Sequence, residues 1–257
     1  METKKSFKIA LVQMKSEKAA IDQNVQLMRE YIAEAARDHG ADIVCFPEMN
    51  ITGYIDPGKF PQAVITMDHA AVSQVIELSG RYSTCVIAGF VEHNPEGKPY
   101  INQFVAHNGK LLGFYRKKTI HDGEEEWFSP GDRQPLFSIP GLTFGLSVCA
   151  DIDDPAIFAE YADKGAVIVL ESAAPGLYGE QETRNWSSGF EWWRGNCRDK
   201  LGKYAANYRV YIGVATQAGR TVDEDFPGGG YLFDPSGAST AETPDWSEGV
   251  LYVEIDT

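Results

Sequence analysis

Three reactive side chains in this sequence each follow a short apolar run that has the composition of a buried strand. They are the carboxyl group of Glu48, the ammonium group of Lys117 and the thiol of Cys149. A base, a cation and a thiol are the groups needed to acylate a sulfur atom and to stabilise the oxyanion that forms. We therefore expect covalent hydrolysis of a carbon–nitrogen bond, provided that the fold brings the three strand ends together.

Each of these residues alone has a more ordinary interpretation. Glu48 would be a solvated loop acid, Lys117 a cation on an edge strand, and Cys149 a small core residue. The apolar neighbours of Glu48 argue against solvation and predict a raised pKa, as a general base near neutral pH requires. Beyond Cys149, a helix start at Asp154 and a nearby ammonium would favour the thiolate.

The lysine segment contains two adjacent cations. Because side chains alternate along a strand, Lys117 is expected to share a sheet face with Tyr115, whereas Arg116 and Lys118 lie on the other face. Only one of the two lysines can therefore face a site on a given side.

An acidic loop, 124–126, precedes an aromatic and proline-containing turn at 127–131. Most of the loop is expected to be solvated, but packing of the turn could hold one of its three glutamates inward. Together with Asp153 and Asp154, the loop could line an entrance that favours a neutral or cationic substrate. Helix capping and solvation explain the same acids equally well.

Composition and charge exclude several classes of function. The chain has 257 residues and a net charge of −14, and no stripe of Lys and Arg indicates a nucleic-acid partner. No apolar run is long enough for a membrane span, and the N-terminus lacks the pattern of a signal peptide. The four cysteines form no CxxC pair, so we expect a cytoplasmic protein. The five histidines lack zinc-ligand spacing, and neither a phosphate-binding glycine loop nor a GxSxG motif occurs, so no metal or cofactor is expected.

Strand-like and helix-like segments alternate along the chain. Asn108-Gly109 between two apolar runs predicts a β-hairpin, so the strands are mixed. Further strands are predicted at 7–12, 42–46, 85–91, 142–148, 166–170, 210–216, 230–234 and 250–255. Helices are predicted around 21–36 with Gly40 as C-cap, around 72–78, from Pro155 onward and from about 190 to 208. We expect one α/β domain over 1–257, with two stacked sheets and helices outside.

The motifs resemble the signatures of the nitrilase superfamily of carbon–nitrogen hydrolases, in particular its amidase- and carbamoylase-like members. Residues 46–49, 115–117 and 145–151 look like the glutamate, lysine and cysteine motifs of that family, in the same order. Residues 128–131 resemble the segment after a second glutamate. The resemblance implies a four-layer α-β-β-α sandwich with two mixed β-sheets, which often pairs into homodimers or larger homo-oligomers. The implied catalytic residues are Glu48, Lys117, Cys149 and Glu124, and the implied substrate or oxyanion contacts are Ala150 and Tyr54.

The implied activity is hydrolysis of a small linear amide or N-carbamoyl compound through a cysteine thioester. Two departures bear on the substrate: Thr119 stands where many amidase-like members have His, and 153–155 reads Asp-Asp-Pro where many have Arg-Phe-Pro. The alternatives are a nitrilase, an acyltransferase and a non-catalytic scaffold. Nitrilases of the superfamily commonly have Trp-Glu after the cysteine, so Ala150-Asp151 favours an amidase.

Overall fold

The computed structural model describes residues 5–121 and 123–257. Its strands are β1 (Ser6–Gln13), β2 (Ile43–Cys45), β3 (Cys85–Glu92), β4 (Tyr100–His107), β5 (Lys110–Arg116), β6 (Phe137–Ile139), β7 (Leu142–Val148), β8 (Ile168–Ala173), β9 (Tyr211–Thr216), β10 (Ala218–Arg220), β11 (Asp225–Pro227), β12 (Tyr231–Phe233), β13 (Ser239–Glu242) and β14 (Gly249–Asp256). Its α-helices are α1 (Ile21–Asp38), α2 (Ala70–Tyr82), α3 (Pro155–Asp163), α4 (Trp186–Cys197) and α5 (Lys203–Tyr208).

Most strands belong to two six-stranded mixed sheets. The first sheet has the order β14-β1-β2-β3-β4-β5, and the second has the order β13-β12-β9-β8-β7-β6. In each sheet three central strands run parallel, namely β1-β2-β3 in the first and β7-β8-β9 in the second. The remaining neighbours are antiparallel, including the predicted hairpin of β4 and β5. Loops that follow the central strands of both sheets therefore meet along one edge, where α/β folds commonly form their sites.

Apolar side chains alternate between two buried layers along each central strand. In β1, Ile9 and Leu11 pack between the two sheets, whereas Ala10 and Val12 pack under α1 and α2. A third cluster packs the second sheet against α3, α4 and α5. The layers are therefore helix, sheet, sheet and helix, which confirms the predicted four-layer α/β sandwich with two mixed sheets.

The helices follow the predicted periodicity but differ at their ends. Helix α1 ends at Asp38 with His39 as its C-cap, so the predicted C-cap, Gly40, lies one residue beyond it in a left-handed conformation. The last long helix begins at Trp186, four residues before the predicted start, because Asn185 accepts a hydrogen bond from the Ser188 N–H. One π-helical turn, Arg198–Gly202, joins α4 to α5. Within the described ranges, no helix is sufficiently long and apolar to cross a bilayer.

Candidate active site

The turn after β2 fixes the position of Glu48. Pro47 has no N–H to continue the strand, so the chain leaves the sheet there. The turn then packs on Gly89 of β3, whose N–H donates to Asn50 Oδ1 (2.7 Å) and whose carbonyl accepts from the Ile51 N–H (2.9 Å). A Cβ atom at Gly89 would lie 2.9 Å from the Met49 nitrogen, so only glycine permits this approach. As a result, the Glu48 side chain is completely buried.

Lys117 follows β5 and points into the same buried region. Its Nζ donates to Glu48 Oε1 (3.0 Å) and to Glu124 Oε2 (2.7 Å), and its side chain is only 1% exposed. Lys118 faces elsewhere, and its Nζ donates to Gln134 Oε1 (3.1 Å). Tyr115 is buried on the side of Lys117. The alternation predicted for this strand is therefore confirmed.

Cys149 lies at the point where β7 ends and one 3-10 turn, Cys149–Asp153, begins. Its φ is +48°, a left-handed conformation that residues other than glycine rarely adopt and that often occurs at functional sites. The first N–H groups of a helical turn have no acceptor within the turn, so the Ala150 N–H is free to bind an oxyanion beside the thiol.

Asp151 connects the cysteine turn to the lysine strand. Its Oδ2 accepts from the Val148 N–H (2.9 Å) and the Tyr115 hydroxyl (2.7 Å), and its Oδ1 accepts from the N–H groups of Lys118 (3.2 Å) and Thr119 (2.8 Å). Asp151 is completely buried. The sequence motif includes this residue, but its role depends on contacts between segments about thirty residues apart, which spacing alone does not predict.

The three residues predicted from separate strand ends meet at the Glu48 carboxyl group. Oε1 accepts from Lys117, Oε2 accepts from the Ala174 N–H (3.0 Å), and the Cys149 thiol is close enough to this carboxyl group to affect its pKa. Glu48 and Lys117 follow strands of the first sheet, whereas Cys149 and Ala174 follow strands of the second. The cluster therefore lies where the two sheets meet.

Burial and charge together determine the protonation of this cluster. Burial raises the pKa of Glu48 to about 7, as predicted, and the Lys117 ammonium opposes the rise. Burial alone would lower the pKa of Lys117, but the carboxylates of Glu48 and Glu124 hold that pKa well above its usual range. Burial and the nearby Glu48 raise the pKa of Cys149 well above its usual range, even though Lys117 acts in the opposite direction. Lys117 thus favours the thiolate, as expected from the sequence, but burial acts more strongly in the opposite direction, so the thiol needs a base.

Glu124 is the one glutamate of its acidic loop that is buried, which matches the prediction of one inward residue. Its Oε2 accepts from Lys117, and its Oε1 accepts from the Tyr54 hydroxyl (2.6 Å). Burial raises the pKa of Tyr54 well above its usual range, so the hydroxyl remains a donor. Glu125 and Glu126 are exposed. Tyr54 thus contacts the cluster through Glu124.

A cavity of about 380 Å³ opens onto this cluster. Lys117, Glu124, Cys149, Ala150 and Tyr54 all contribute to its wall, while Glu48 lies behind them. The wall also includes residues from three loops, within 54–60, 174–178 and 223–224. Within the described ranges, no group of three His, Cys, Asp or Glu side chains is arranged to hold a metal ion.

Some tryptophan and aspartate residues near the site line the cavity, whereas others have a structural role. Trp192 and Trp193 line the cavity, and Trp186 does not. Asp153 lines it and forms an ion pair with Lys200, whereas Asp154 caps α3 by accepting from the Ala156 N–H (3.0 Å). Asp154 therefore has a helix-capping role and does not form part of the entrance.

Comparison with known proteins identifies the family. Residues 8–257 match the carbon–nitrogen hydrolase family. The chain belongs to that family and, with it, to the nitrilase superfamily. The sequence is 27% identical to an omega-amidase of Homo sapiens over 98% of this chain and 89% of that protein. The structure superposes on an amidase from Nesterenkonia sp. with a TM-score of 0.82 and 23% identity, over 97% of this chain and 90% of that one, which shows a shared fold.

One longer relative matches this chain over only part of its own length. The chain is 26% identical to a glutamine-dependent NAD(+) synthetase of Acinetobacter baylyi, over 98% of this chain but only 44% of the synthetase. The chain thus spans less than half the length of that relative.

Proposed function

We propose that this carbon–nitrogen hydrolase cleaves a small linear amide or N-carbamoyl compound through a thioester on Cys149. The observation that carries the proposal is the buried Glu48 carboxyl group, which binds the Lys117 ammonium and lies near the Cys149 thiol. The thiol lies in the wall of a cavity large enough for a small-molecule substrate.

Acylation would begin with proton transfer from the Cys149 thiol to the Glu48 carboxylate. The sulfur then bonds to the carbonyl carbon, and the carbonyl π electrons move onto oxygen. The Lys117 ammonium and the Ala150 N–H stabilise the oxyanion. Glu48 then donates the proton that it took from sulfur to the amide nitrogen, and the carbon–nitrogen bond breaks. The products of this stage are a free amine or ammonia and a thioester.

Deacylation would use the same carboxylate, this time to take a proton from water and pass it to sulfur. Glu48 accepts a proton from a water molecule, and the resulting hydroxide adds to the thioester carbonyl. The carbon–sulfur bond then breaks, and the proton held by Glu48 returns to sulfur. One carboxyl group thus serves both stages, for which a pKa near 7 is well suited.

Glu124 and Tyr54 act on the position of the ammonium. Glu124 binds Lys117 in addition to Glu48, and the Tyr54 hydroxyl in turn holds Glu124. An ammonium between two carboxylates remains charged and fixed in direction, as an oxyanion donor should be.

The names of similar proteins support an amide substrate. They include the omega-amidase, a 2-oxoglutaramate amidase of Bacillus subtilis and a citrullinase of Francisella tularensis. One structure of the Nesterenkonia amidase shows the acetamide moiety of fluoroacetamide added covalently at its active-site cysteine.

Amide hydrolysis is expected to depend on Cys149 and on no other cysteine. A panel of linear amides and N-carbamoyl compounds should release ammonia with the native chain, and mass spectrometry should show an acyl adduct on Cys149 in rapidly quenched samples. Cys149→Ala should abolish both signals. Cys85→Ala is the matched control, because Cys85 is buried in β3 and does not line the cavity. Turnover by Cys149→Ala at the native rate would reject the proposal.

The rate should also depend on the ionisation of Glu48. Only its carboxylate form can accept the thiol proton, and its pKa is raised to about 7. We therefore expect kcat/KM to rise about tenfold per pH unit below about pH 7 and to level off above it. A profile already flat at pH 5 would show that the base has an ordinary carboxyl pKa, contrary to the burial observed.

A further inference from the structure

The cations that line the cavity already have carboxylate partners. Four lysines and five carboxylates form part of its wall. Lys117 is held by the catalytic carboxylates, and Lys200 pairs with Asp153, which His121 also approaches (Nε2 to Oδ2, 3.8 Å). Lys59 lies near Asp56 (3.7 Å) but is 70% exposed, so solvent screens it.

The fourth lysine, Lys18, also has two carboxylate partners. Its Nζ lies 2.6 Å from Asp223 Oδ1 and 2.9 Å from Glu224 Oε2, and only 9% of its side chain is exposed. These three residues, which we term the Lys18 cluster, carry a net charge of −1. An anionic substrate group at Lys18 would have to share the ammonium with two carboxylates that already neutralise it.

Glu224 presents the acidic side of this cluster to the cavity. A Cβ atom at Gly176 would overlap Glu224 Oε1, so the carboxyl group packs directly over the backbone of the cavity wall. Its Oε2 is bound to Lys18, and within the described ranges Oε1 has no hydrogen-bond donor. Both Glu224 and Glu124 line the cavity, and burial, with a smaller effect of the Glu124 charge, raises the pKa of Glu224.

We propose that Glu224 determines specificity by accepting a hydrogen bond from a cationic or neutral donor at the end of the substrate remote from the scissile amide. A substrate carboxylate in that place would face Glu224 and Asp223 without a free cation to compensate it. The sequence suggested that the acids at 124–126, 153 and 154 could favour neutral or cationic substrates. The proposal assigns that preference to Glu224 instead. This inference rests on the proposed amide hydrolysis and names its substrate class.

Three amides with the same five-carbon acyl chain test the proposal: 5-aminopentanamide, pentanamide and 4-carbamoylbutanoate. They differ only in a cationic, apolar or anionic end. We expect kcat/KM for the cationic amide to exceed that for the anionic amide at least tenfold, with most of the difference in KM. Preference for 4-carbamoylbutanoate would overturn the proposal while leaving amide hydrolysis intact. Absence of turnover of all amides tried would instead reject the proposed function.

The variant Glu224→Gln removes one charge with little change of shape. It should reduce the ratio of cationic to anionic kcat/KM about tenfold and leave pentanamide within about threefold of the native value. Glu125→Gln is the matched control, because it removes the same charge from an exposed side chain that does not line the cavity. A ratio unchanged by Glu224→Gln would overturn the proposal, and a ratio changed equally by both variants would assign the selectivity to overall charge instead.

Discussion

Glu48→Gln is expected to lower kcat for the best amide by about 10³-fold, within the range of roughly 10²–10⁴ typical for a general base. Glutamine has nearly the same shape, but its single carbonyl oxygen can accept from only one of Lys117 and the Ala174 N–H, and it cannot take the proton from sulfur. Because burial raises the pKa of Cys149, little thiolate forms without a base. The measurement is steady-state kcat, with single-turnover kinetics to follow acylation.

A second buried glutamate provides the control for this variant. Glu92 is 8% exposed and is held by Arg116 through two hydrogen bonds (2.6 and 2.7 Å), but it does not line the cavity. Glu92→Gln should therefore change stability but leave kcat within about twofold. If both glutamine variants lost activity equally, the effect of Glu48→Gln would reflect the loss of a buried ion pair and not the loss of a base.

Lys117→Met is expected to lower kcat/KM by about 10²–10³-fold, which is typical for the removal of one oxyanion donor. It should also destabilise the fold, because the carboxyl groups of Glu48 and Glu124 lose their shared cation. Breaking a buried ion pair typically costs about 3–5 kcal/mol. Protonation of Glu48 offsets part of that cost, since its pKa is already raised. Denaturant titration and kinetics on the same preparation separate the two effects.

Lys118→Met removes the adjacent lysine and serves as the matched control. Its Nζ contacts Gln134 and not the catalytic cluster, so both kcat/KM and stability should stay close to native values. A large loss of activity in Lys118→Met would mean that Lys118, and not Lys117, points into the cavity.

Long periodic elements were predictable from the sequence, whereas several short ones were not. Strands such as β1 and β3 and helix α1 contain enough residues for their alternation or helical period to be recognised. Strands β6, β10 and β13 contain three or four residues, so their pairing depends on neighbours distant in the chain.

The reactive residues were recognisable because each ends an apolar run, but their environment was not. The effect of the nearby ammonium on Cys149 could be expected from the sequence, whereas the larger effect of burial on its pKa depends on packing between two sheets. Likewise Lys18 and Glu224 lie about two hundred residues apart in the chain, so no spacing rule connects them. The sequence thus revealed which groups could react, and the structure revealed how they are held.

The division of the catalytic cluster between the two sheets also constrains the evolution and redesign of the core. One residue of strand register corresponds to about 3.3 Å, so even a partial slip of one sheet across the other would carry Glu48 out of reach of the Ala174 N–H. Substitutions in the apolar layer between the sheets can therefore impair turnover far from any substrate, even where the chain remains folded. Repacking that layer for higher thermal tolerance would have to preserve sheet alignment as strictly as it preserves volume.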